Sequence, residues 1–237
     1  MDDLINSFKT SCNINEIKNT TEKVAVNFEI TNDYINFSCN VIPSSPKYSP
    51  YKYWIKELEY TKELLFEKFE YNNLFKLVAK VVHDNELNSN NVKKRNTVIK
   101  FVPLIPLTEW NKTNEYIYIF TINNYIVKIG GTRNGLKARC ASYLCGHHIP
   151  ERGKSGDCSK TNGYIYNTFD YYLQCKCDIK MYAYEIPPIV VSVDILDEQI
   201  QVIAQVYHAY ESKFITKYKL QSGHYPILCD NSDPNYK

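Results

Sequence analysis

Between Tyr116 and Tyr143 the chain collects side chains that can together attack a phosphate ester. The stretch reads Y-I-Y-I-F, a short polar turn, Y-I-V-K-I-G-G-T, then R-N-G-L-K-A-R-C-A-S-Y: a strand, a tight hairpin, a second strand ending in glycines, and a helix. Tyr118 lies on the first strand and Lys128 on the second, while Arg139 and Tyr143 stand at i and i+4 of the helix and so share a face. Hydrolysis of a phosphodiester needs an activated nucleophile, charge stabilisation on the phosphoryl oxygens and a proton for the leaving oxygen. Arginine offers a fixed fork of donors to phosphate. Tyrosine is a poor base at its ordinary pKa of about 10, but beside a lysine, an arginine or a metal ion its phenolate is favoured and can take a proton from water. Farther along, Glu211 lies four residues after Tyr207, at the edge of an apolar helical stripe. A lone carboxylate of this kind can hold one divalent cation, Mg2+ or Mn2+, with water completing an oxygen shell. Taken singly, each residue has an ordinary role: a strand tyrosine packs, a helix arginine makes a surface ion pair, and Glu211 has Lys213 and Lys217 nearby. The ordered combination is what points to phosphate chemistry.

The elements that must position these groups follow from periodicity. Residues 24–42 alternate on both sides of T-N-D, a β-hairpin signal. After a Pro/Ser-rich loop, residues 51–83 carry Trp54, Leu58, Leu64, Leu65, Phe69, Leu74, Leu77 and Val81 near helical spacing and predict helix, with a break possible at Asn72-Asn73. Residues 84–97 read as a polar surface loop with a short basic cluster, Lys93, Lys94 and Arg95. Residues 98–107 read as an extended segment whose two prolines keep it off a central strand position. After the helix of Arg139 comes a polar insertion, 144–162, then a helix capped by Asn162 and running through Leu173, a strand at 178–186 and an extended IVVSVDIL. Asp197 is then expected to cap a long amphipathic helix ended by Gly223, with Ile200, Ile203, Ala204, Tyr207, Phe214 and Ile215 as its inner stripe.

At 237 residues, 44% hydrophobic and 23% charged, the chain has the composition of an ordinary soluble globular protein. Its net charge of +2 permits a nucleic-acid partner without arguing for one. The 21 tyrosines are the compositional oddity, part of which reflects AT-rich coding. No apolar run reaches about 18 residues, so no membrane span is expected; MDDLINSFKT is acidic where a secretory signal is basic. An intracellular protein is expected, and its eight cysteines as reduced thiols. Cys175 and Cys177 form CxC, and Cys140, Cys145, His147, His148 and Cys158 cluster in sequence, but the spacing matches no standard zinc pattern and buried free cysteines are the favoured reading.

Tyr116-Ile117-Tyr118 followed by Lys128-Ile129-Gly130 resembles the two strand motifs that name the GIY-YIG nuclease superfamily. Arg139-Cys140-Ala141-Ser142-Tyr143 is similar to its helix motif, Glu211-Ser212-Lys213-Phe214-Ile215 to the segment of its metal-binding glutamate, and Pro226 through Asn231 to its closing segment. The resemblance covers about residues 114–232. Tyr116 stands in place of the first glycine and Lys128 in place of the second motif's first tyrosine; the lysine resembles a subgroup of type II restriction endonucleases. The resemblance implies an α/β (α+β) fold, a small mixed or antiparallel sheet flanked by helices over residues 111–237, with a DNA-contacting insertion at 144–173. A hairpin-plus-helix region at 1–110 would serve DNA recognition or dimerisation. It implies a sequence-specific, Mg2+-dependent endonuclease of a bacterial cytoplasm, acting on double-stranded DNA as a homodimer. Tyr118 would be the general base, Lys128 its helper, Arg139 the phosphate clamp, Glu211 the metal ligand and Tyr143 an aid to the leaving group or phosphate, with Gly130 and Asn231 in support. His147, His148, Arg152, Lys154, Lys160 and Asn162 are candidate DNA contacts. The rival readings are a repair or structure-selective nuclease, a DNA-binding module without chemistry, and a zinc-stabilised interaction protein.

Overall fold

The computed structural model describes residues 26–31, 34–39, 55–85, 97–148 and 159–229, and the chain divides into two compact units, Met1–Val41 and Ile42–Lys237. In the first unit β1 (Val26–Thr31) and β2 (Tyr34–Cys39) form the antiparallel hairpin expected about T-N-D. The second contains β3 (Lys76–His83), β4 (Ile99–Pro103), the single turn α1 (Leu107–Trp110), β5 (Tyr116–Ile122), β6 (Tyr125–Thr132), α2 (Gly135–Leu144) and α3 (Lys160–Gln174). It continues with β7 (Ile179–Glu185), β8 (Ile189–Ile195), β9 (Glu198–Ala204) and α4 (Tyr207–Ser222). Five strands form one antiparallel sheet in the order β4-β3-β7-β5-β6, and β8-β9 form a separate ribbon. Mixed α and β structure around an antiparallel sheet is the fold class that the sequence predicts.

The central hairpin is tight because Asn123 and Asn124 accept left-handed backbone, with φ of 48° and 68°, as the favoured two-residue hairpin turn requires. Asn123 also clasps β7: its N–H donates to the Asp178 carbonyl, and its side-chain oxygen accepts from the Asp178 N–H, each at 2.9 Å. Strand alternation sends Ile117, Ile119 and Ile129 to one face, where they pack with Phe214, Ile215 and Tyr218 of α4 and with Phe69 and Phe75. Tyr118 and Phe120 go to the other face, against Tyr143 of α2 and Phe169 of α3. Strand β6 ends the sheet, and its open edge is blunted by irregular chain. Ile126 N–H donates to the Leu64 carbonyl at 2.9 Å, Phe66 N–H to the Asn124 carbonyl at 2.8 Å and Leu228 N–H to the Val127 carbonyl at 2.8 Å.

Several expectations change. The helix expected over 51–83 is not found in its described part: from 55 to 75 the chain is irregular apart from short 3-10 turns at Phe66–Lys68 and Asn72–Leu74, and β3 follows. The apolar residues there serve as separate anchors, Phe69 and Phe75 buried while Leu74 and Leu77 are exposed, and the valine-rich run suits a strand. The prolines of 98–107 do place β4 at a sheet edge. Both β3 and β4 lie in the same sheet as β5, β6 and β7, so the sheet continues across position 110. Ser159, not Asn162, caps α3, its hydroxyl accepting from the Asn162 N–H at 3.2 Å. Asp197 caps no helix: Leu196 and Asp197, with φ of 53° and 64°, form the turn of the β8-β9 hairpin. Ile200, Ile203 and Ala204 therefore lie on a strand, while Tyr207, Phe214 and Ile215 keep their places on α4, which Gly223 ends at a φ of 83°. The cluster Lys93, Lys94 and Arg95 lies outside the described residues. Among those described, no helix is long and apolar enough to cross a membrane.

Tyrosine hydroxyls fasten the irregular segments to the helices. Leu58 N–H donates to Tyr172 at 2.7 Å, Val98 N–H to Tyr166 at 2.7 Å and Leu64 N–H to Tyr218 at 3.3 Å. Burial is the main reason that the pKa values of Tyr60, Tyr143, Tyr172 and Tyr218 all lie above the ordinary tyrosine value. A raised value in the folded state means that the unfolded chain loses these protons first. The stability they contribute is present below pH ~10 and lost as pH rises beyond it. In an alkaline titration these tyrosines should stay silent in near-ultraviolet absorbance until circular dichroism reports unfolding. Full ionisation of all tyrosines around pH ~10 with the fold intact would contradict this packing.

Candidate active site

Tyr118 of β5 stands directly opposite Gly130 of β6, and its ring lies across that glycine. A methyl group at 130 would collide with the Tyr118 hydroxyl and the ring carbon that bears it. The hydroxyl accepts a hydrogen bond from Arg139 Nε at 2.8 Å and lies 2.5 Å from the Tyr143 hydroxyl. The Arg139 guanidinium sits 4.4 Å from the centre of the Tyr143 ring, a cation–π contact, and its Nη1 donates to Ser142 Oγ at 3.4 Å. The predicted i, i+4 pair on α2 thus converges on Tyr118. Tyr118 and Tyr143 are wholly buried, and Lys128 is nearly so.

The charges of this cluster are set by its burial. Desolvation pushes the Tyr143 pKa far up, so Tyr143 keeps its proton and remains a donor at neutral pH. Desolvation works against the Arg139 cation, but the facing Tyr143 and Tyr118 outweigh it and the pKa is raised. Desolvation also opposes the Lys128 ammonium; Cys229, Tyr118 and Glu211 together overcome both that and the repulsion of Arg139, so its pKa too lies above the ordinary lysine value. At neutral pH the half-buried Arg139 cation therefore donates to the Tyr118 hydroxyl, and the buried Lys128 ammonium, paired with Phe120, lies on the same face of the sheet.

Glu211 reaches the site from the other side of the sheet. It projects from α4 toward Gly131, where a built Cβ would lie 3.1 Å from Glu211 Oε2 and 2.7 Å from the ring of Tyr207, one turn earlier. The side chain is 25% exposed, and His208 Nδ1 lies 3.9 Å from Oε2. Beside it opens a cleft of about 250 Å³ lined by Gly131, Thr132, Arg133, Arg139, Ser142 and Tyr207, among others. Arg139 both lines this cleft and binds the Tyr118 hydroxyl, joining the buried cluster to solvent. No group of three or more His, Cys, Asp or Glu side chains suited to a metal occurs among the described residues. A single carboxylate in the cradle left by Gly131 fits a hard cation that keeps most of its water, as Mg2+ does, and does not fit a closed zinc site.

The structure brings Tyr118, Lys128, Gly130, Arg139, Tyr143 and Glu211 to one region. Asn162 is not a surface contact: it is buried, and its amide donates to the Ser142 carbonyl at 3.0 Å, tying α3 to α2. The backbone of His147 and His148 lies in a 3-10 turn, Cys145–His148, and Lys160 begins α3, but their side chains lie outside the described residues, as do Arg152, Lys154, Cys158 and Asn231 altogether. Cys140 is buried 3.6 Å from Met181 Sδ, and desolvation pushes its thiol well up, away from a ligand thiolate. Tyr207 and Arg133 were not singled out as site residues by sequence; the i, i+4 spacing of Tyr207 to Glu211 was the available signal for the first.

No family model matches the chain, and no curated protein matches it. Among solved structures it is similar to restriction endonuclease HPY188I in complex with product DNA, with a TM-score of 0.45, 20% identity, and 80% of this chain and 98% of that chain covered. It is also similar to a mutant of bacteriophage T4 EndoII, with a TM-score of 0.41, 21% identity, and 65% of this chain and 94% of that chain covered. Likeness this distant carries no weight on activity.

The two glycines should behave differently on substitution. Gly130→Ala drives a methyl group into a fully buried ring and should destabilise the protein by about 1–3 kcal/mol, seen as a lower urea midpoint. Gly131→Ala presses on the half-buried Tyr207 ring and on Glu211, which can give toward solvent, and should lower the midpoint by less than Gly130→Ala does. Equal, negligible shifts for both would mean that Tyr118 does not lie across Gly130.

Proposed function

We propose that this chain is a metal-dependent DNA endonuclease of the GIY-YIG type, and specifically a type II restriction endonuclease that cuts double-stranded DNA at a defined sequence as a homodimer. The observation that supports this reading most is the charge pattern of the site. Lys128 is a buried and Arg139 a half-buried cation, Arg139 contacts the Tyr118 and Tyr143 side chains, and Glu211 is the carboxylate that Lys128 feels. Such a pocket has a net positive charge and offers planar, directed donors to an anion, as a phosphodiester requires.

In this reading Arg139 grips a phosphoryl oxygen through its Nη groups while Nε stays on Tyr118. With Tyr118 as the general base, the attacking water gives its proton to the Tyr118 oxygen as the new P–O bond forms and the bond to the sugar oxygen breaks. The Tyr118 oxygen is held meanwhile by donation from Arg139 Nε and from the Tyr143 hydroxyl, and the Lys128 ammonium offsets its charge. Glu211 would hold the divalent cation, Mg2+ or Mn2+, which neutralises charge on the phosphate and the leaving oxygen when bound. Contacts to bases are assigned to the part of region 1–110 outside the sheet and to the insertion at 144–173, with His147, His148, Arg152, Lys154 and Lys160 as candidates. Two copies supply the two sites that a cut through both strands calls for.

Purified protein should cut unmethylated plasmid and phage DNA into discrete fragments with Mg2+ and not with EDTA. Tyr118→Phe keeps the ring and should lower the cleavage rate by about a hundredfold or more while DNA binding persists in a gel-shift assay. Glu211→Gln should act likewise and also abolish the dependence of rate on Mg2+ concentration. Full-rate cleavage by Tyr118→Phe removes the general-base assignment. Nicking without discrete fragments favours a repair nuclease, and a gel shift without cleavage favours a binding module.

A further inference from the structure

Two short connections meet beside the cleft. Arg133-Asn134 joins β6 to α2, and Gln205-Val206 joins β9 to α4. Arg133 Nη1 donates to Gln205 Oε1 at 3.4 Å, and Val206 N–H donates to Glu115 Oε2 at 3.1 Å, which anchors the second connection to the chain ahead of β5. Tyr207 follows at once and lines the cleft together with Arg133, Arg139 and Ser142. The lining carries these two arginines and no Asp or Glu. Arg139 is engaged on several sides: Nε with the Tyr118 hydroxyl, Nη1 with Ser142 Oγ, and its plane with the Tyr143 ring. Arg133 is not. It is exposed, its bond to the Gln205 amide is long, and among the described residues no carboxylate pairs with it. A guanidinium has five N–H donors, so most of this fork remains open to a ligand.

We propose that Arg133 is a second phosphate contact: it holds the phosphate next to the one that Arg139 grips, with Gln205 as its positioning residue. The proposal rests on the nuclease reading and adds to it a subsite outside the cluster around Tyr118. The spacing suits it. Arg139 lies one turn into α2, about 6 Å along the axis from Gly135, and Arg133 precedes that turn; neighbouring phosphates of one strand are a similar distance apart. The cleft volume of about 250 Å³ is that of roughly eight waters, which leaves room for more than one phosphate group.

The charges suit it too. Two guanidinium groups in a lining without an acid repel one another, and two phosphates would offset both. A planar fork matches phosphate oxygens in pairs, which a lysine in the same place would not. A neutral amide is the apt partner for such a residue. Gln205 orients the guanidinium through one weak bond and leaves its charge whole, whereas a carboxylate there would compete with the phosphate.

Fluorescence anisotropy of a labelled DNA duplex, titrated in EDTA across a range of salt, tests this without cleavage. Arg133→Ala should weaken binding about tenfold on every duplex sequence and lower the slope of log Kd against log salt by about one. Arg133→Lys should restore the slope, because it keeps the charge. Gln205→Ala should weaken binding in the wild-type background and change nothing once Arg133 is replaced by Ala, since it acts through Arg133. An additive loss in that double variant overturns the role of Gln205. Lys217→Ala removes a cation of α4 that lies 3.9 Å from Glu70 Oε2 and should leave the slope unchanged. An unchanged slope for Arg133→Ala, or an equal drop for Lys217→Ala, overturns the proposal, while wild-type binding and Mg2+-dependent cleavage keep the nuclease reading. A wild-type chain that binds no duplex overturns both. Should Arg133→Ala lose the wild-type circular dichroism, Arg133→Gln decides by the same criteria.

Discussion

A β-strand sends successive side chains to opposite faces, so a tyrosine packed on one face and a carboxylate arriving on the other are ordinarily kept apart by a layer of side chains on each side of the backbone. At Gly130-Gly131 both layers are missing. The ring of Tyr118 lies over the first glycine, and Glu211 and Tyr207 close on the second. The septum between the faces is then backbone alone, and groups carried by β5, α2 and α4 meet around one strand. Much of the surrounding architecture serves this arrangement. Leu64, Phe66 and Leu228 occupy the hydrogen-bonding edge of β6, which keeps in place a strand weakened by two glycines. Cys229 reinforces it, accepting from Ile129 N–H at 3.3 Å and donating to the Ile129 carbonyl at 3.2 Å.

The tyrosines have a structural reason beyond composition. The irregular chain at 55–75 cannot satisfy its backbone groups in a ladder, and buried polar backbone must find partners. Tyr172 and Tyr218 carry hydroxyls from the core out to the Leu58 and Leu64 N–H groups of this segment, and Tyr166 does the same for Val98 before β4, each bond contributing about 1 kcal/mol net. A phenylalanine has the bulk for the same position and lacks the handle. Tyr218 does more: its hydroxyl also donates to Glu63 Oε2 at 2.7 Å, so one side chain of α4 ties down two groups of the segment that covers β6.

The sequence was most legible where local chemistry and tertiary position agree. Alternation with an Asn-Asn turn marked β5 and β6, and i, i+4 spacing put Arg139 and Tyr143 on one face. Prolines placed β4 at an edge, and Gly223 stopped α4. It was least legible where short apolar runs fit two periods. In K-L-V-A-K-V-V-H and E-Q-I-Q-V-I-A the apolar residues satisfy helical spacing and strand alternation about equally, and the β-branched content was the better guide. The cap of α3 was misplaced because Ser159 and Asn162 both suit the role, and Asn162 is drawn inward to the Ser142 carbonyl. The approach of Glu211 through Gly131 could not be read from spacing, since it depends on how α4 crosses the far face of the sheet.

Electrostatics then constrain what such a site can bind. Lys128 and Arg139 are both held above their ordinary pKa values although burial opposes each of them. The opposing contributions come from Cys229, Tyr118 and Glu211 at Lys128 and from Tyr143 and Tyr118 at Arg139, yet Tyr143 is itself kept neutral by desolvation. At neutral pH the two cations therefore face one carboxylate, and that carboxylate reaches them from the far side of the sheet. Burying a charge without a partner is costly, so the cluster is incomplete as it stands. A singly charged anion entering the cleft past Arg133 and Ser142 would complete it. It would meet the guanidinium first, because Arg139 alone both lines the cleft and contacts Tyr118. In the proposed reading a neutral ligand of the same size would gain the same packing and leave the excess charge uncompensated, so the site would discriminate by charge before shape.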